Sequence, residues 1–81
     1  MEEAVMIERK GTKILMISYE KLWRLMEEKG ITQYRLIYTY GINPGQLYRL
    51  KQNRYVSTYT VEKFCRILDC RPEDIIEFVQ E

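Results

Sequence analysis

From Ser18 onward the apolar residues recur every three or four positions, and ahead of it they do not, so the chain divides near that point. Leu22, Leu25 and Met26 form the first helical stripe, with Ser18 as candidate N-cap and Gly30 as stop, which predicts a helix over 19–29. Thr32 caps a second helix at 33–40, with Leu36, Ile37 and Tyr40 inward and Gly41 at its end. A third follows at 44–52. Asn43 caps it, Pro44 takes the first position where a missing N–H costs nothing, Leu47 and Leu50 face inward, and Asn53 tolerates the left-handed conformation that ends it. Ser57 or Thr58 opens a fourth helix with Val61, Phe64, Cys65 and Leu68 inward, and Pro72 opens a fifth running through Ile75, Ile76 and Phe78. Upstream, Val5 and Ile7, then Ile14 with Met16 or Leu15 with Ile17, give two short β-favouring runs around Arg9-Lys10-Gly11, the pattern of an N-terminal β-hairpin over 1–17. A loosely ordered extension, or a translation start at Met16, fits the same residues.

Length keeps these elements in one compact domain, since 81 residues cannot bury a large core. With 46% hydrophobic and 31% charged residues the chain has the composition of an ordinary soluble globular protein. Its longest apolar runs, 14–17 and 4–7, fall far short of the roughly 20 residues that span a bilayer, and the start MEEAV is too acidic for a secretion signal. We therefore expect a cytoplasmic protein with no membrane partner. Cys65 and Cys70, with no His and no CxxC spacing, make a poor metal site and are expected as buried reduced thiols.

Net charge is only +1, but its distribution changes the picture. Between Lys29 and Arg66 seven bases face the single acid Glu62, a local +6, whereas 67–81 carries −4 and 1–28 is nearly neutral. The middle third is thus the candidate anion-binding surface.

Only Gly41-Ile42-Asn43 separates the second and third helices, and a turn that tight makes them cross steeply: a helix-turn-helix. The stretch GITQYRLIYTYGINPGQLYRLKQN, followed by VEKFCRILDCRPEDIIEFV, resembles the Cro/CI-type (XRE-like, lambda-repressor-like) DNA-binding domain. The likeness spans 18–79 and rests on Thr32-Gln33, Leu36, Gly41, Ile42, Leu47, Leu50, the CRILDC segment and Asp74-Ile75. It implies an all-α, five-helix domain over 18–81 that binds double-stranded DNA, with 1–17 as an extension. Ile37, where relatives favour Ala, asks for some adjustment at the crossing of the second and third helices.

The resemblance also implies roles for particular residues. Gln33 would reach a phosphate from the start of the second helix, and the third helix would enter the major groove N-terminus first. The base-reading positions at its front then fall on Pro44 and Gly45, which have no hydrogen-bonding side chain. Three readings follow, taken here in order of weight. Gln46, Tyr48 and above all Arg49, whose guanidinium can pair bidentately with guanine, read from further along, while Pro44 and Gly45, next to Asn43 among the DNA-binding candidates, let the backbone approach closely and Pro44 offers apolar contact to a thymine methyl. Alternatively DNA shape carries specificity, or the face binds a protein. Lys51 adds charge where relatives often carry an acid, and Arg54, Tyr55, Ser57 and Thr58 match a phosphate-contacting region. Tyr34, Tyr38, Tyr40, Tyr48, Tyr55 and Tyr59 crowd the same third of the chain, as core filling or partner contacts. Trp23, Leu25 and Met26 suit a core or a dimer edge.

Nothing points to catalysis: no His, no glycine-rich phosphate loop, no nucleophile with a base, and hence no catalytic residue and no cofactor is expected. Glu73, Asp74 and Glu77 are read as acids favoured near a helix start. The function expected is that of a small transcriptional regulator, a repressor bound as a homodimer to a two-fold DNA site, with no small-molecule ligand evident. The competing expectation is an antitoxin-like or anti-repressor protein-interaction module that uses the basic, tyrosine-rich face.

Overall fold

The computed structural model describes residues 15–80. In chain order it contains β1 (Leu15–Ser18), α1 (Glu20–Lys29), α2 (Gln33–Tyr38), α3 (Pro44–Lys51), α4 (Thr58–Leu68), a 3-10 turn (Pro72–Asp74) and β2 (Glu77–Gln80). Three of the four helix starts are written in side-chain caps. Thr32 Oγ1 accepts from Arg35 N–H at 3.1 Å, Asn43 Oδ1 from Gly45 N–H at 2.6 Å, and Ser57 Oγ from Thr60 N–H at 3.2 Å, each satisfying a donor the helix leaves unpaired. Gly30 (φ 71°) and Asn53 (φ 55°) terminate α1 and α3 in the left-handed region, as their sequence positions suggest. The N-cap of α1 is Tyr19 rather than Ser18, although Ser18 Oγ still accepts from Glu20 N–H at 3.3 Å. The second and third helices end at Tyr38 and Lys51, a little short of the expected 40 and 52.

The helices enclose one core. Tyr19, Leu22 and Met26 from the α1 region, Leu36, Ile42, Leu47, Leu50, Phe64, Leu68 and Ile75 are buried, with Trp23, Leu25, Ile37, Tyr40, Val61 and Cys65 packed around them. Both cysteines are free, and they are half-buried rather than buried.

The expected fifth helix does not form, so the described residues contain four α-helices and a two-stranded antiparallel sheet. Pro72–Asp74 makes a single 3-10 turn, closed by the Asp74 carboxylate accepting from Arg71 N–H at 2.9 Å, and the chain then extends. The run Ile75-Ile76-Glu77-Phe78-Val79 is β-branched and aromatic, a poor helix interior once a strand partner is available. That partner is β1, in the register Leu15↔Gln80, Met16↔Val79, Ile17↔Phe78 and Ser18↔Glu77. Ile75, expected on the fifth helix, is buried in the core, whereas Phe78 is 60% exposed. The first run and the turn of the expected N-terminal hairpin lie outside the described residues. From Leu15 its second run is a strand, paired with Glu77–Gln80. None of the described helices is long and apolar enough to cross a membrane.

Candidate nucleic-acid interface

Gly41 takes φ 73°, which lets the chain reverse within residues 39–43 between α2 and α3, two residues more than the expected three-residue turn because α2 ends at Tyr38. Ile42 N–H then donates to the Leu36 carbonyl at 2.8 Å and the Ile42 side chain is buried, locking the turn to α2. With Leu47 and Leu50 buried against the core, α3 is held by one face and offers the other. That outer face carries Gly45, Tyr48, Arg49 and Gln52, all exposed and spaced to form one stripe along the helix.

Around this stripe the sequence-predicted residues fall into groups. Arg49, Arg54 and Tyr55 line one open groove of about 610 Å³, whose floor is completed by Met16 and Ile17 of β1. Asn43, Gln46 and Ser57 line a second cavity of about 280 Å³ beside the start of α4. Pro44, Gly45, Tyr48 and Lys51 are exposed on α3, and Gln33, half-buried, stands at the start of α2. Thr58 does not join them. It lines an apolar groove on another side of α4 with Val61, Cys65 and Ile76. The Ser57 hydroxyl is already engaged, capping α4 and lying 3.2 Å from Thr60 Oγ1. Gln46 is half-buried, and its Oε1 is enclosed without a hydrogen-bond partner among the described residues.

Lys63 was not singled out for contact and Tyr59 only as core filling or a partner contact, yet both line the cavity beside Asn43 and Gln46. Their spacing of four along a helix was the available signal. Among the described residues the ion pairs are Arg66–Glu62 (2.6 Å) and Arg71–Glu73 (3.8 Å), so Arg49, Lys51, Arg54 and Lys63 have no acidic neighbour within pairing distance. Among the described residues, no ion pair neutralises the positive charge of this face. Tyrosine supplies the remaining surface: Tyr34, Tyr38, Tyr48, Tyr55 and Tyr59 are exposed, and the rings of Tyr34 and Tyr38 pack with centroids 4.6 Å apart.

The loop after α3 is fixed from two sides. Arg54 N–H donates to the Arg49 carbonyl at 2.9 Å, while Tyr19 Oη donates to the Arg54 carbonyl at 2.7 Å and Tyr19 N–H to Asn53 Oδ1 at 3.2 Å. Burial, with a smaller contribution from Tyr55, pushes the Tyr19 hydroxyl above its ordinary pKa, which keeps it a donor.

A short α2, a locked turn and a core-anchored α3 with an exposed outer stripe define a helix-turn-helix of the nucleic-acid-binding class. A family model described as the Cro/C1-type helix-turn-helix DNA-binding domain matches residues 21–81, and the chain belongs to that family. The crystal structure of the transcriptional regulator VanUg (Form II) is similar, with a TM-score of 0.76 and 28% sequence identity over 91% of this chain and 99% of that one. No curated protein matches.

Proposed function

We propose that this chain is a cytoplasmic DNA-binding transcriptional regulator acting as a repressor, with 18–81 as the DNA-binding domain, and that it binds a two-fold operator as a homodimer with α3 in the major groove. The observation that carries the reading is the outer stripe of α3: Arg49 stands exposed at its centre, free of acidic partners among the described residues, on a helix whose other face is fixed in the core. Arg49 reads guanine, Gln46 and Tyr48 contribute from the same helix, and Pro44 and Gly45 let the helix front approach the bases with no side chain in the way. Gln33, Arg54 and Tyr55 hold phosphates.

Selection of bound duplexes from a randomised pool tests this. The wild type is expected to enrich an inverted repeat, and Arg49→Ala to lose a guanine preference worth about 1–3 kcal/mol. A wild type that enriches nothing at low salt would sink the repressor reading.

The second reading, a protein-interaction module on the same face, draws support from the five exposed tyrosines. Salt separates the two, since each neutralised phosphate contributes about −0.9 to the log–log slope of affinity against salt.

A further inference from the structure

We infer that Tyr19 is a positioning residue for DNA binding: a nearly fully buried side chain at the foot of α1 that holds the Asn53–Arg54 loop so that the Arg54 guanidinium meets a backbone phosphate. The inference rests on the DNA-binding reading above and extends it to a residue that touches no DNA.

Asn53 is left-handed (φ 55°), a conformation that few side-chain-bearing residues adopt, and the chain leaves α3 through it. Such a loop needs its backbone polar groups satisfied if it is to hold one shape. Both backbone groups of Arg54 are satisfied, and by different parts of the molecule. Its N–H bonds back to the Arg49 carbonyl in α3, and its C=O accepts the Tyr19 hydroxyl at 2.7 Å, thirty-five residues away in sequence. Tyr19 N–H adds a second bond, to Asn53 Oδ1 at 3.2 Å. The ring that delivers these bonds is 1% exposed, so it cannot follow the loop if the loop moves. Arg54 is exposed, and its side chain has no acidic partner among the described residues, so backbone anchoring decides where the charge sits.

A long cation on an unanchored loop still attracts phosphate, but it must be ordered on binding, which costs affinity. Tyr19 therefore acts through Arg54, and its effect should vanish where the guanidinium is absent. A purely structural Tyr19 would not behave so.

The test is a double-mutant cycle on the full chain with a mixed-sequence duplex at low salt, each variant first shown to be folded by circular dichroism at the assay temperature. Tyr19→Phe keeps the ring and deletes the donor. It is expected to weaken binding about three- to tenfold, the range of one net hydrogen bond, and to shift the salt slope toward that of Arg54→Ala. In the Arg54→Ala background the same change is expected to do nothing further. Asn53→Gly, which permits the left-handed φ but removes the acceptor, should repeat the pattern and carries the test if Tyr19→Phe does not fold. An equal loss in both backgrounds overturns the inference, as does a wild-type slope in Tyr19→Phe or in Asn53→Gly. Failure of Arg54→Ala to change the slope removes the premise while leaving DNA binding intact. Absence of any wild-type binding removes the DNA reading itself.

Discussion

A Cβ on Gly45 would sit 3.0 Å from Asn43 Oδ1, the atom that accepts the Gly45 N–H at 2.6 Å. The bare front of α3 is thus the price of a tight cap, and the cap fixes where the reading helix begins. Asn43→Ala is expected to cost about 1 kcal/mol, a fall in Tm of roughly 4–8 °C for a domain of this size, while Asn43→Asp keeps most of the stability. Thermal unfolding of both variants checks it. Caps of this kind were legible in the sequence because donor and acceptor lie two or three residues apart. The partners of Tyr19 were not, since nothing near it in sequence shows that it bonds the loop after α3. Titration adds a second residue-scale expectation. Burial above all raises both thiols, with Cys70 moving from 9.0 to about 11. Between those values the unfolded chain has lost a proton that the folded chain keeps, so stability falls as pH rises from about 9 toward 11, and Tyr19, raised from 10.0, adds to the loss at the upper end. Melting curves across this range should show the decline, and Cys70→Ser should make it shallower.

At the scale of elements, α1 to α4 could be read from periodicity because each carries its own apolar stripe and its own stops. The C-terminal segment could not. Its run of apolar residues is too short to tell a strand from a helix, and what decides is hydrogen bonding to β1 at the opposite end of the domain. The helical expectation drew on Pro72 and the acids after it, which do start a turn, but the turn ends at Asp74. Removing residues 77–81 separates the two structures. If they form a strand, the helical signal in circular dichroism stays essentially unchanged while Tm drops through loss of β pairing. A helix there would take a visible share of the ellipticity with it.

Charge is polarised along the chain, with the basic middle third containing α3, and Leu15–Ser18 is joined to Glu77–Gln80 in the sheet. The pairing sets an apolar residue of β1 beside one of β2. Ile17 packs on the core, so its neighbour Met16 faces outward by strand alternation, directly opposite Val79. These two side chains are 48% and 39% exposed, an apolar pair that a second copy of the chain would cover in the homodimer proposed above. A two-fold site asks a dimer to present two α3 helices about 34 Å apart, one DNA turn, whereas a single short helix gives limited affinity. Replacing Met16 by Lys together with Val79 by Glu tests the surface without dismantling the sheet, because opposite charges facing each other across antiparallel strands support the pairing and leave net charge unaltered. The double variant is expected to keep its Tm within a few degrees, to sediment as a monomer, and to lose far more affinity for an inverted repeat than for an isolated half-site, where Met16 borders the groove of Arg49 and Arg54. If it remained dimeric by ultracentrifugation at micromolar concentration, the sheet would not be the dimer surface, and the apolar groove of Val61, Cys65 and Ile76 on α4 would be the next surface to vary.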